Sequence, residues 1–309
     1  MTIIFSLIQT AVILAVAPLS VGLIRKFKAR FGNRVGASVW QPYRSLAVLC
    51  RKEMTVTRHA SWIFYAAPFA VLATSLIVAF LVPTLGVFGA SLAWGNLFLI
   101  AALLMLGAGA LVLGGMDAAS AFGGMGASRE MTIAALTEPV TIMVFVALGA
   151  TTGAWSGGGV LTALANAPWY LTHPFLVFVF AALAMIVLAE GARYPVDNPS
   201  THLELTMVHE AMVLEYSGPY LAMLEYAAAL KYVVLAVFLA NLVFPTSVLG
   251  TGAGLAYGLA LFAVKLVGVC FLTAFLESMV AKMRFYRLQE FFTAAYLLVF
   301  FGLLLSLIF

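Results

Sequence analysis

The chain has 309 residues, 64% of them hydrophobic and 9% charged, with a formal net charge of +4 and a mean hydropathy of +1.09. A water-soluble domain carries roughly a quarter of its residues as Asp, Glu, Lys and Arg, so the composition excludes one and points to lipid as the main solvent. Its two cysteines, Cys50 and Cys270, form no C-x-x-C pair, which leaves this chain without its own ligands for an iron–sulfur cluster or zinc.

A helix needs about 20 apolar residues to cross the hydrocarbon core. Eight stretches qualify: 3–24, 63–84, 96–115, 130–152, 174–193, 220–244, 253–280 and 290–308. The expected fold is therefore an all-α integral membrane protein of about eight transmembrane helices, one membrane domain spanning 1–309. No basic segment with a small-residue cleavage site leads the first stretch, which reads as a retained helix. The seventh stretch is the longest and has room to tilt. Between the fourth and fifth, Gly-rich sequence from Gly153 to Gly159 precedes Asn166-Ala167-Pro168-Trp169-Tyr170, whose aromatic pair suits a short helix along the membrane surface. The sequence shows no internal repeat.

Lys and Arg concentrate in short loops on the cytoplasmic side. The loop after the first stretch holds Arg25, Lys26, Lys28, Arg30, Arg34, Arg44, Arg51, Lys52 and Arg58, nine of the sixteen basic residues. Arg129 falls in the third–fourth loop, Arg193 opens the fifth–sixth, and Lys282, Arg284 and Arg287 lie in the last. The alternate loops, near 85–95, 153–173 and 245–252, carry no charged residue. Both termini are thus expected on the outer, periplasmic side, with the functional loops cytoplasmic. Basic residues at a bilayer meet anionic headgroups, and nucleic acid is not the expected partner.

A few ionisable groups remain inside the helices, where an unpaired charge is costly and a functional role is the default reading. Glu138 lies ~12 Å into the fourth helix. Glu225 and Lys231 lie in the sixth, Lys265 near the middle of the seventh, and Glu190 and Glu277 toward the cytoplasmic ends of the fifth and seventh. One reading is a set of static ion pairs, such as Lys265 with Glu138 or Glu225. The other is a proton path through groups that burial brings within reach of exchange near neutrality. Their number favours the path.

The densest chemistry runs from Glu190 to Tyr226, with carboxylates at Glu190, Asp197, Glu204, Glu210, Glu215 and Glu225, one arginine, Arg193, and histidines His202 and His209. Pro195 ends the fifth helix; Asn198-Pro199-Ser200-Thr201 reads as a turn with a helix cap at Ser200 or Thr201; Ser217-Gly218-Pro219 starts the sixth helix. A metal held by His202, Glu204, His209 and Glu210 is not expected, because seven residues of helix separate the histidines by ~10 Å. Ser217 lacks the G-x-S-x-G setting of a hydrolytic nucleophile. The interleaved Leu203, Leu205, Met207, Val208, Met212, Val213 and Leu214 need burial, so the segment reads as a hydrated acidic funnel rather than a free loop.

Glu190-x-x-Arg193-x-Pro195-x-Asp197, followed by Glu215-Tyr216-Ser217-Gly218 and Glu225-Tyr226, resembles the signature of the subunit 1 family of respiratory complex I. Arg34-Val35-Gly36 with Gln41-Pro42-Tyr43-Arg44 resembles that family's first loop. Gly123 to Glu130 (GGMGASRE) with Glu138-Pro139, and Ala281-Lys282-Met283-Arg284 after Glu277, resemble its branch in formate hydrogenlyase, hydrogenase-4 and other energy-converting nickel–iron hydrogenases.

The resemblance implies a subunit that binds no metal and joins a peripheral redox arm to antiporter-like membrane subunits in a bacterial or archaeal cell membrane. The arm implied comprises hydrogenase-like large and small subunits and a ferredoxin-like iron–sulfur subunit; iron–sulfur clusters and a nickel–iron centre belong to those partners. It also implies coupling residues at Glu138, Glu190, Asp197, Glu204, Glu210, Glu215, Glu225, Lys231, Lys265 and Glu277, and arm docking at Arg34, Gln41, Arg44, Arg129, Arg193 and Arg284. In complex I the corresponding subunit forms much of a quinone cavity. Here Ser200 and His202 stand where further glutamates are usual and Gly36-Ala37 replaces Gly-Pro, which favours the hydrogenase branch. A quinone-cavity subunit and a stand-alone ion transporter are the competing expectations; the missing repeat weighs against the transporter.

Overall fold

The computed structural model describes residues 2–85, 95–167, 169–197, 207–245, 252–281 and 283–308, and its named elements there are all helical. They run α1 (Thr2–Phe31), α2 (Gln41–Arg51), α3 (Trp62–Leu81), α4 (Leu97–Asp117), α5 (Ala121–Thr152), α6 (Gly157–Asn166), α7 (Trp169–Thr172), α8 (Leu176–Glu190), α9 (His209–Val213), α10 (Gly218–Val243), α11 (Gly252–Met279) and α12 (Leu288–Ile308), with a 3₁₀ turn at Phe285–Arg287. Among the described residues seven helices are long and apolar enough to cross a membrane: α1, α3, α4, α5, α10, α11 and the stretch leading into and through α12. Leu106, Leu113, Val264 and Phe301 stay exposed on the outside, as side chains solvated by lipid do.

The expected fifth span is shorter than its apolar run. α8 has 15 residues, ~22 Å against a core ~30 Å thick. It stops at Glu190, where Gly191 follows and Ala192 takes a φ of 48°. Leu176, Val179, Leu183 and Ile186 are buried against α5, α10 and α12, so its short length is matched by protein rather than by lipid. Irregular backbone at membrane depth is tolerated in such a setting.

α5 departs from expectation in the other direction. Its helix begins nine residues before the expected 130, with Ser120 accepting from the Gly123 N–H as N-cap, so Arg129 sits on a helix rather than in a loop. The glycines that suggest a loop are close-approach positions. A Cβ on Gly123 would lie 2.3 Å from the Gly115 carbonyl oxygen, and one on Gly126 2.9 Å from both the Ala211 Cβ and the Val208 carbonyl oxygen. α9 is wedged between α4 and α5 at these points. α1 likewise continues to Phe31, carrying Arg25, Lys26, Lys28 and Arg30 on its last turns, where cations complement the helix dipole.

Two prolines determine how the bundle is tied together. Proline inside a helix removes an N–H and orphans the carbonyl four residues earlier. Pro18 in α1 frees the Leu14 carbonyl, which accepts from Tyr226 Oη of α10 at 2.8 Å; the adjacent Ala15 carbonyl accepts from the Tyr43 hydroxyl of α2. Pro68 in α3 frees the Phe64 carbonyl, which accepts from Tyr216 Oη at 3.2 Å while the two rings stack with centroids 4.1 Å apart. α10, the most deeply buried of the long helices among the described residues, is the central helix, and its tyrosine and the one just ahead of it reach these orphaned carbonyls. At the same end, Asp117 closes α4 and caps α3, accepting from Ser61 N at 2.7 Å, Ser61 Oγ at 2.6 Å and Phe64 N at 3.1 Å.

Tyr226→Phe leaves the Leu14 carbonyl without a donor and is expected to destabilise the protein by about 1–3 kcal/mol. Pro18→Ala, which restores an intrahelical donor, should recover most of that loss in the double variant. Thermal unfolding of the four proteins in detergent measures the coupling.

Candidate functional site

Two adjoining cavities lie inside the bundle. The larger is bounded by Thr74 and Ser75 of α3, Gly107 and Ala108 of α4, Glu130 of α5, Glu190 at the end of α8, His209 of α9 and Lys231 of α10, and has room for a few waters. The second, smaller one continues from Glu130 and Glu190 along Thr137, Glu138 and Thr141. Leu104, Ala108, Glu130, Ala189 and Glu190 line both cavities, so the two lie side by side.

The early stop of α8 delivers Glu190 to this space. Lys231 Nζ donates to Glu190 Oε2 at 3.0 Å, with side chains 22% and 15% exposed. Glu130 lies within electrostatic reach of Lys231, Glu190 and Asp197, and Glu138 within reach of Glu190. Glu190 and Glu130 thus share one ammonium beside water-sized space, with Glu138 near Glu190. The hydroxyls of Thr137 and Thr141 bond back to their own helix, at Ile133 O and Thr137 O, and leave lone pairs toward the cavity. Such an arrangement can hold, orient and pass protons.

At the basic end of the seam stands a second cluster. Glu277 of α11, 6% exposed, bonds Arg193 Nη1 at 3.3 Å and Lys28 Nζ of α1 at 3.2 Å. The Arg193 guanidinium lies 5.0 Å from the ring centroid of Tyr232, and Lys28 lies 4.7 Å from that of Tyr194. Met283 N donates to Pro195 O at 3.0 Å, which fastens the segment after α11 to the one after α8. Asp197, 3% exposed, accepts from the His209 N–H at 3.1 Å. Burial, then the positive charge of Lys231, pushes the His209 imidazole down to about 4 against the pull of Asp197.

The remaining expected residues lie elsewhere. Glu225 is exposed on α10, within electrostatic reach of Arg25, and does not line the cavities. Lys265 donates to Asn241 Oδ1 at 2.8 Å and to the Phe244 carbonyl at 2.5 Å, so neither Glu138 nor Glu225 is its hydrogen-bonding partner. Asn241 lies ten residues from Lys231, ~15 Å along α10, and there Asn241 Nδ2 bonds Thr84 O while Gln9 of α1 holds Val82 O. Glu210 and Glu215 are half-buried beside α9. Of the expected docking residues, Arg34, Gln41, Arg44 and Arg284 are exposed, Arg129 donates to Met207 O at 2.9 Å, and Arg193 is buried. Glu204, His202 and Lys282 lie outside the described residues.

Two lining residues were not among those the sequence singled out for coupling, Glu130 and His209. For Glu130 a signal exists: Glu130, Thr137 and Thr141 recur at i, i+7 and i+11, one face of a helix, all within the stretch 130–152 expected to be helical. For His209 no local pattern gives its position, because a buried five-residue helix places it.

Fold and seam together define a multi-pass helical membrane protein with ionisable side chains gathered in its interior. The chain belongs to the NADH dehydrogenase family, whose profile matches residues 3–308. It is 29% identical over 246 residues to hydrogenase-4 component C of Escherichia coli (strain K12), covering 79% of this chain and 76% of that protein. It is 27% identical over 286 residues to formate hydrogenlyase subunit 4 of the same organism, covering 92% of each. A chain in the structure of the membrane-bound sulfane sulfur reductase, an archaeal respiratory membrane complex, shares the fold at a TM-score of 0.85 and 19% identity over 97% of this chain and 98% of that one.

Glu277→Ala takes from the buried Arg193 the carboxylate it pairs with, and removing one partner of a buried pair costs about 3–5 kcal/mol. The thermal midpoint in detergent is expected to fall accordingly. Adding Arg193→Leu to that variant should recover much of the loss.

Proposed function

We propose that this chain is the arm-anchoring, proton-path subunit of a membrane redox complex of the hydrogenase-4 or formate hydrogenlyase kind. Its similarity to a membrane component of each, over three quarters or more of both chains, supports the class of complex. One observation carries the proton-path reading: Glu130 and Glu190 line both of two adjoining water-sized cavities, one of which also takes in Lys231 and His209 and the other Glu138. Buried ionisable groups that served only to bind helices together would need no such space.

On this reading the termini face the periplasm and the basic end faces the cytoplasm, supported by the uncharged alternate loops. A peripheral arm of hydrogenase-like large and small subunits and a ferredoxin-like subunit docks there. The exposed Arg34, Gln41, Arg44 and Arg284, with Arg129 and Arg193 beneath them, support that docking face. The arm carries the iron–sulfur clusters and the nickel–iron centre. A change of charge in it alters the balance among Asp197, Glu204, Glu210 and Glu215 in the acidic segment. The Lys231–Glu190 pair then opens or tightens, because one ammonium cannot serve Glu190 and Glu130 equally. Glu138, at the far end of the second cavity, passes the proton on toward antiporter-like membrane subunits. Glu225 and Lys265 lie off this line, and Glu277 acts on it by holding Arg193 and the segment that presents Asp197.

Glu138→Gln and Glu190→Gln in the complete complex, reconstituted into vesicles, are expected to keep assembly and dye-linked redox turnover while coupled proton movement falls by at least about tenfold. Proton movement at the unsubstituted rate in both variants would sink the reading.

A further inference from the structure

We propose that His209 is the proton-passing side chain at the mouth of the seam, exchanging a proton between the acidic segment and the Glu190–Lys231–Glu130 group. The inference rests on the proton-path reading and adds the residue through which that path meets the segment beneath the arm.

The placement of His209 carries the argument. It opens α9 and lines the larger cavity with Glu130, Glu190 and Lys231. Its backbone N–H is tied to the buried carboxylate of Asp197 at 3.1 Å. The residues after it, Ala211, Met212 and Val213, are buried, with Met212 against Gly115 and Ala211 against Gly126. The residue two before it, Met207, is held through its carbonyl by Arg129. The backbone at His209 is therefore fixed at the point where the acidic segment joins the helix bundle, and its side chain lines the larger cavity.

Every element around it contributes to its surroundings. α10 presents Lys231, α5 presents Glu130 with Arg129 nearby, the end of α8 presents Glu190, the turn after α8 presents Asp197, and α9 itself carries Glu210. α3 and α4 line the same space with Thr74, Ser75, Gly107 and Leu111 and no charged side chain. Burial and Lys231 keep the imidazole neutral near pH 7. A neutral imidazole accepts at one ring nitrogen and donates from the other. A proton can therefore bind one nitrogen as the other releases its own, with no net charge left behind and no change of oxidation state.

The test uses the complete complex in vesicles, with proton movement and redox turnover followed together. His209→Ala is expected to lower proton movement by at least about tenfold while dye-linked turnover is kept. Imidazole added to the buffer should restore movement with a pH profile that follows its own pKa, and a substituted imidazole of lower pKa should shift that profile down. A purely structural histidine would give no such shift. His209→Gln preserves size and hydrogen bonding without titrating, and it decides the matter if the alanine variant does not assemble. Proton movement at the unsubstituted rate in His209→Gln, or loss in His209→Ala that imidazole does not restore, overturns the proposal. Glu190→Gln run alongside separates the cases: if it fails while the His209 variants work, the path stands and His209 is not on it. If none of the three is impaired, the path itself is wrong.

Discussion

A backbone carbonyl stranded in hydrocarbon has no water to turn to, and that constraint organises this molecule. Pro18 and Pro68 each strand one, and Tyr226 and Tyr216 answer with hydroxyls. Ser61 and the first N–H groups of α3 are answered by Asp117. These bonds join α1, α2, α3, α4 and α10 at the basic end. The Tyr216 ring also packs against Gly114, where a Cβ would meet its hydroxyl oxygen at 2.3 Å, so no bulkier residue fits beneath it. Helix breaks that would be liabilities in lipid become the joints that locate α10, and α10 carries Lys231 to the seam.

The same constraint explains why the acidic segment is only partly a loop. Asp197 and Arg193 are buried because the chain after α8 folds back under α9 and the end of α11, where Glu277, Tyr232 and the Pro195 carbonyl supply partners. Charge is neutralised locally around Glu277. The larger cavity, by contrast, gathers Glu130 and Glu190 around a single lysine. The first arrangement holds position and the second sets two carboxylates and a lysine beside water-sized space; the two are joined through Asp197, which accepts from the His209 backbone N–H.

Much of the fold was legible in the sequence. Runs of apolar residues give the spans of α3, α4 and α10 to within a few residues, and Ser217-Gly218-Pro219 marks the start of α10. The glycines of 123–126 misled, because their role is contact with α4 and α9 and no local signal separates that from a loop. Glu138, Glu190 and Lys231 stood out as charges within apolar helices, and they line the seam. Glu225 stood out for the same reason yet points outward, since helical spacing gives a face but not which neighbour covers it. Lys265 belongs to a separate clasp with Asn241, and that partner is a neutral side chain that hydropathy passes over.

α8 has one further effect. An insulating layer is only as thick as its driest stretch, and here a ~22 Å rod stands where its neighbours run 30 Å or more. Water-sized space begins at its Glu190 terminus, so the hydrated interior is reached over a shorter run of helix beside α8 than along α1 or α11, with α5, α10 and α12 packed around that run.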